Sequence, residues 1–288
     1  MYTTRFLALS RRAATVLSTL ALALLLGNAG CGKQAIAILK INHVQELRSI
    51  QDDFNQAALL ENQEGGNQSP QSAITMGAQA TASYRSVLAS LNKLLVMSLE
   101  PLKADNLLGN VYVLKALTEW RLGEFNAAMA TIAKTEDKDI SLQPRDKAIA
   151  TAFRGLIMND QAYHHMQNKS ATYAEIRTLI LTALSAFHDG IATLPRNHGM
   201  RFYLSLAQMG SIKNWIDLSG EPKRFSSDGA GPGTATETEA ICVAFKPILA
   251  TYKSEIDRSK ARDAAIGARL EAQWNHALHI EVLIAACP

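Results

Sequence analysis

The chain has 288 residues, and 48% of them are hydrophobic and 19% charged, a balance that excludes a disordered tail and a mini-protein dependent on staples. The formal charge is +3, from 29 Lys and Arg against 26 Asp and Glu, yet Arg5, Arg11 and Arg12 lie in the first thirty residues with no acid beside them. Setting those three aside leaves 26 against 26, so the body of the chain is neutral and lacks the basic surplus that nucleic-acid binding requires.

The first element is a leader. Three arginines in residues 1–12 are followed by the uncharged run Ala13 to Leu26 and then by Gly27, Asn28, Ala29, Gly30 and Cys31. Basic, then apolar, then short side chains is the order of a secretory signal peptide, and the run is shorter than the about 20 apolar residues of a bilayer-spanning helix. Residues 1–30 are therefore expected to be removed. Gly27-Asn28-Ala29-Gly30-Cys31 resembles the lipobox of bacterial lipoproteins, whose cysteine becomes the acylated first residue of the mature chain. It departs from that box at Asn28, where the family usually has Leu. Cleavage after Ala29 by ordinary signal peptidase is the alternative. Arg11-Arg12 is similar to a twin-arginine signal, but Ala14 and the leucine-rich run favour the general export route. The resemblance implies a periplasmic protein tethered to the outer membrane through lipidated Cys31.

From Cys31 onward the hydrophobic residues recur at helical spacing and almost nothing alternates as a strand would, so the expected class is all-α. Residues 31–288 are expected to form a single domain. The spacing predicts helices over Gln34 to Asn62, Ala73 to Leu99, Leu102 to Leu122 and Glu124 to Lys134, with the polar stretch from Glu64 to Pro70 as a break and Pro101 in a first turn. Thr135 to Gln143 reads as a linker. Pro144 opens a helix to about Gln167, and Thr172 to Leu194 and Met200 to Leu218 follow. Residues 219–236 hold Gly220, Pro222, Gly229, Gly231, Pro232 and Gly233 and are expected to be a flexible loop. Glu237 to Arg258, kinked at Pro247, and about Ala261 to Ala286 complete the set.

With Cys31 acylated, Cys242 and Cys287 are the remaining thiols of an exported chain. If the last two helices are antiparallel, cysteines facing one another lie equally far from the turn, and the midpoint of 242 and 287 falls within the candidate turn Arg258 to Gly267. A disulfide and two separate apolar cysteines both remain open.

A succession of helix pairs suggests a repeat. In the stretch from Tyr112 to Ile132 an aromatic is followed four positions later by Ala116, Gly123 takes the turn, Phe125 comes just after it, and Ala128 is the small residue of the second helix. Close helix crossing needs short side chains and a tight turn favours glycine. The stretch resembles a tetratricopeptide repeat, and Ala183, Phe187, Gly190 and Pro195 are similar to the second helix of another. Ala128 and Ala183 are not a multiple of 34 residues apart, so the repeats are irregular. The alternative is a generic α-hairpin protein. The resemblance implies an irregular stack of antiparallel hairpins, a tetratricopeptide-like α-solenoid that offers an extended surface to partner proteins.

Few residues offer chemistry. The glycine-rich stretch from Asp228 to Thr234 lacks the Lys and Ser or Thr of a phosphate loop, and no hydrolase elbow, Cys-x-x-Cys pair or zinc-protease motif occurs. His276 and His279 share a helical face, but Glu281 lies about 200° round from His279 and does not complete a metal site. His164 and His165 diverge by about 100° and mark a helix end. No catalytic residue, metal or cofactor is expected. The aromatic residues, Tyr112, Trp120 and Tyr203 among them, read mostly as core; if a partner-binding groove exists, it is expected on the inner face around Tyr112, Trp120, Arg154 and Tyr203.

Length, leader and irregular repeats together resemble the T component of tripartite ATP-independent periplasmic transporters, a helical lipoprotein. That resemblance implies a non-enzymatic scaffold or adaptor for envelope proteins, with a periplasmic solute-binding protein as partner. The rival expectation is a periplasmic small-molecule carrier or enzyme with a pocket between helices.

Overall fold

The computed structural model describes residues 37–66, 76–196, 198, 200–220, 235–265, 267–268, 271–272 and 287. The described residues are mostly helical and include no strand. In chain order the α-helices are α1 (Ala37–Gly66), α2 (Ala78–Met97), α3 (Leu99–Ala104), α4 (Leu108–Arg121), α5 (Phe125–Ala133), α6 (Pro144–Asn168), α7 (Tyr173–Thr193), α8 (Met200–Gly220) and α9 (Ala235–Arg262). A single 3₁₀ turn, Lys134–Glu136, follows α5. Where the sequence implies one domain over 31–288, the chain divides into two compact units, Met1–Ala150 and Thr151–Pro288. The division falls inside α6, a helix whose uninterrupted spacing hides it.

In the first unit α1 packs on α2, α2 on α4, and α4 on α5. The α1–α2 core is made by Phe54, Tyr84, Val87, Leu91 and Leu94, all shielded from water. Phe54 and Tyr84 meet edge to face with ring centroids 5.4 Å apart, a favoured aromatic geometry. The expected helix from Leu102 to Leu122 is two helices, because the chain turns at Asp105–Leu107. Asn106 takes φ 56, the Leu107 N–H donates to the Leu102 carbonyl at 2.8 Å, and the Asn106 N–H donates to Lys103 at 3.1 Å. This is a Schellman ending with Asn in the left-handed position, which asparagine tolerates better than most residues.

The same device recurs at the end of α4. Gly123 has φ 76, the Glu124 N–H donates to Glu119 at 2.9 Å and the Gly123 N–H to Trp120 at 3.0 Å. The turn brings α5 back onto α4, with Ala116, Ala128 and Ile132 buried. A Cβ on Gly123 would meet nothing within 4 Å, so a substitution there is opposed by its backbone conformation alone. Gly123→Ala is expected to lower stability by about 1 kcal/mol, and Gly123→Asn by less, in chemical denaturation. Equal stability of Gly123→Ala and the parent would contradict the left-handed turn.

In the second unit α8 packs against both α7 and α9. It is the central helix, and its sequence shows why: Met200, Phe202, Leu204, Leu206, Met209, Ile212, Trp215 and Leu218 are buried on all sides. Its buried polar residues Ser205, Gln208, Ser211 and Asn214 recur every three positions, and each finds a partner. Ser205 donates to the Phe202 carbonyl at 2.7 Å and Gln208 to Leu184 at 3.4 Å. Ser211 and Asn214 both donate to Asn159 Oδ1 on α6, at 2.7 and 3.0 Å, so an amide fixes α8 against α6 without an exposed partner.

Helix α7 begins as its sequence predicts. Thr172 Oγ1 accepts from the Glu175 N–H at 3.3 Å and Glu175 returns to the Thr172 N–H at 2.8 Å, a reciprocal capping box. The hydrogen bonds from the Thr172 backbone and side chain hold the Glu175 carboxyl below its ordinary range. Helix α9 runs through Pro247, where the sequence predicts a kink. Pro247 and Val243, whose carbonyl loses its helical donor, both face solvent, which leaves that carbonyl open to water. Most of the expected loop 219–236, and residues 273–286 of the helix expected from about Ala261 to Ala286, lie outside the described residues.

Candidate functional site

Each unit is tied together by carboxylates placed among fixed donors. In the second unit Glu237, in the first turn of α9, is the most heavily used. Its Oε1 accepts from Trp215 Nε1 at 2.5 Å, Arg177 Nε at 2.7 Å and the Tyr173 hydroxyl at 3.1 Å. Tyr173 and Arg177 come from the start of α7 and Trp215 from the end of α8, so one oxygen gathers three helix ends. The Arg177 guanidinium also lies 5.3 Å from the Trp215 ring centroid, within cation–π range. Burial acts to raise the Glu237 carboxyl, but the donors Arg177, Trp215 and Tyr173 overcome it and hold the group below its ordinary value of 4.5. Burial, with the neighbouring carboxylate, pushes the Tyr173 phenol up, so it stays a donor.

Glu255 does the equivalent work farther along α9, 18 residues or about 27 Å of helix rise away. Its Oε1 accepts from Arg201 Nε at 3.0 Å and Arg258 Nη1 at 2.5 Å. Arg201 also donates to the carbonyls of Ile191 and Leu194, the latter at 3.1 Å, and so satisfies the open end of α7. The two nodes clamp α7, α8 and α9 at opposite ends.

Glu237→Gln is expected to lower the stability of the second unit by about 2–3 kcal/mol, less than a wholly buried pair would because a third of the Arg177 side chain is exposed. The sign of the pH dependence follows from the depressed carboxyl. The contribution is complete above about pH 4.5 and is lost as pH falls through the folded-state value. Denaturant melts of parent and variant should converge at acid pH. A constant gap down to pH 2 would show that the carboxylate's charge is not what Tyr173, Arg177 and Trp215 read.

The first unit uses smaller nodes. The Tyr84 hydroxyl donates to Glu61 Oε2 at 3.0 Å and Arg121 Nη1 to Glu61 Oε1 at 3.4 Å, joining α2 and α4 to α1. His43 Nε2 lies 3.0 Å from Asp105 Oδ2, joining the other end of α1 to the residue after α3. Lys115 pairs with Glu119 inside α4 and lies 3.5 Å from the Thr131 hydroxyl of α5.

The residues singled out for partner binding fall in both units. In the first, Tyr112 is partly exposed with Lys134 Nζ 5.3 Å from its ring centroid. Trp120 is only 6% exposed and has the Arg121 guanidinium 4.6 Å from its ring centroid, so it belongs to the core and not to an open face. Trp120 thus takes the interior place that an aromatic at helical spacing more often has, not a place lining the expected groove. In the second unit Arg154 and Tyr203 are half-buried on α6 and α8, and burial pushes the Tyr203 phenol up.

Cys242 and Cys287 are joined by a disulfide with Cα atoms 5.1 Å apart. His164 and His165 sit in the last turn of α6, hydrogen-bonded to Asn168 and Ser170 respectively at 2.8 Å. Cys31, His276, His279 and Glu281 lie outside the described residues. Among the described residues no cluster of three or more His, Cys, Asp or Glu could hold a metal ion, and no helix is long and apolar enough to cross a membrane.

The Glu237 and Glu255 nodes are absent from the sequence reading. For Glu255 a signal exists, since Tyr252, Glu255 and Ile256 place a carboxylate inside an apolar stripe at i, i+3 and i+4. Glu237 offers none, because its partners are contributed by other helices. Comparison with protein-family models, with curated proteins and with solved structures finds no match.

Proposed function

We propose that this chain is an exported, lipid-anchored helical scaffold that docks partner proteins in the bacterial envelope and acts without chemistry of its own. The observation that carries the reading is the close nesting of helices at small residues. Gly123 turns α5 back onto α4, and a Cβ on Gly155 of α6 would lie 2.9 Å from the Phe187 ring and 3.0 Å from the Ala183 carbonyl of α7. Ala183 and Phe187 are the positions whose spacing resembles a tetratricopeptide second helix. Hairpins nested this way leave their outer faces free for partner chains. The cystine supports export, since structural disulfides persist in oxidising compartments.

The more specific form of the proposal is the T component of a periplasmic transporter, partnered by a solute-binding protein. Its test is photocrosslinking in intact cells, with benzoylphenylalanine in place of Tyr112 or Tyr203, both of which are partly exposed. The expected product is a discrete adduct with one periplasmic solute-binding protein. Adducts with no protein, or a co-purifying small molecule in equal amount, would overturn the adaptor in favour of a carrier.

A further inference from the structure

Three side chains at one bend of the first unit are apolar and exposed: Val96 at 84%, Met97 at 70% and Leu99 at 41%. They are consecutive but for Ser98, where α2 gives way to α3. The buried side of the same segment is supplied by Leu91, Leu94 and Leu102, so the exposed trio is not core that has been left uncovered by a missing neighbour in the helix pattern. Lys93 before it and Glu100 after it are both exposed, so charge is balanced around the tip and the apolar side chains alone distinguish it. A contiguous exposed apolar tip is a feature of surfaces that meet a partner or lipid.

The topology places the bend relative to the start of α1. Tyr84 on α2 reaches Glu61 near the end of α1, whereas Asp105, after α3, reaches His43 near its beginning. As the chain advances from 84 to 105 its partner on α1 retreats from 61 to 43, so α1 and α2 are antiparallel. The Val96–Leu99 bend therefore lies toward the end of the unit at which α1 starts. From Ala37, the first residue of α1, only six residues lead back to Cys31, a reach of about 20 Å at most.

We infer that the Val96–Leu99 bend is a membrane-contacting tip that seats the first unit on the phospholipid bilayer holding the acyl chains of Cys31. The inference rests on the acylation of Cys31 proposed above. An acylated terminus alone leaves a domain free to swing about its tether. A second, apolar contact at the same end fixes which face of the unit points away from the bilayer, and so which face partners meet.

Leu59, also on α1 and 53% exposed, supplies the control, because it lies near the Glu61–Tyr84 end, away from the tether. Full-length, natively processed Val96→Trp, Met97→Trp and Leu59→Trp proteins are reconstituted into phosphatidylethanolamine–phosphatidylglycerol vesicles carrying dibrominated acyl chains. Intact mass is taken on the same preparations. All three sites are exposed, and thermal melts of the variants check that folding is kept. The expected result is an acylated Cys31 with added emission at Val96→Trp and Met97→Trp quenched at least about threefold more than at Leu59→Trp, as for side chains entering the interface. Equal quenching at the three sites with Cys31 acylated would overturn the tip and leave the anchor standing. Contact between copies at Val96, seen as crosslinking of Val96→Cys protein, would replace the bilayer with a second copy of the chain. An unmodified terminus beyond Cys31 would overturn anchor and tip together.

Discussion

Removing the Cys242–Cys287 bridge is expected to lower the stability of the second unit by about 4 kcal/mol, the loop-closure contribution of a cross-link spanning 45 residues. The bridge ties an early turn of α9 to the last residues of the chain, and Cys287 is buried at the join. Between them the chain reverses after Arg262, where the Gly267 N–H donates to Asp263 at 2.9 Å and Lys260 pairs with Glu271 at 2.6 Å. Each of those contacts is local and smaller than the loop-closure contribution of the bond. Cys242→Ser with Cys287→Ser, compared with the oxidised parent by guanidinium unfolding, measures the difference directly. Parent protein in reductant should match the double variant. A loss under about 1 kcal/mol would mean that the return segment is held by packing, with the bond incidental to it.

The second large effect lies where α6 crosses α7. Phe187 is wholly buried and its ring lies over Gly155, so Phe187→Ala should cost about 3–5 kcal/mol through lost burial and the cavity left behind. Gly155→Ala should cost about 1–3 kcal/mol despite the better helix propensity of alanine, because the added methyl meets both the Phe187 ring and the Ala183 carbonyl. The two changes are coupled. Once Phe187 is shortened, the methyl at position 155 loses its ring clash, and the double variant should be more stable than the sum of the single losses predicts. Strict additivity in the double-mutant cycle would mean that α6 and α7 do not touch at this point.

These effects show how unevenly the fold is legible in the sequence. The start of α6 at Pro144 and the span of α7 from Thr172 are written in single residues, a proline in a first turn and a Thr-x-x-Glu box, so their bounds could be read directly. The break at Asp105–Leu107 could not. Apolar spacing continues across it, and the only local sign is the pair Asp105-Asn106, two residues that favour turns but do not by themselves end a helix. Gly123 was readable because a left-handed turn leaves few alternatives to glycine.

The candidate site was less legible than the fold. Periodicity marks which face of a helix is apolar but not how far another helix covers it, so it does not separate Trp120, in the core, from Tyr112, partly exposed. The Glu237 node joins residues that are 22 to 64 positions apart, and spacing rules reach only one or two turns. The exposed bend at Val96 was hidden for the opposite reason. Val96 and Met97 continue the apolar run Leu94-Leu95 without interruption, and they leave the core because the last turn of α2 carries them off the face that Leu91 and Leu94 bury.

The proposal that this all-helical chain is exported and tethered is tested most directly by the intact mass of the protein extracted from cell membranes without reductant. The account predicts a chain that starts at Cys31, carries lipid on that residue and is two hydrogens short of the reduced mass because Cys242 and Cys287 are joined. A chain that keeps residues 1–30 and has both of those thiols free would contradict it.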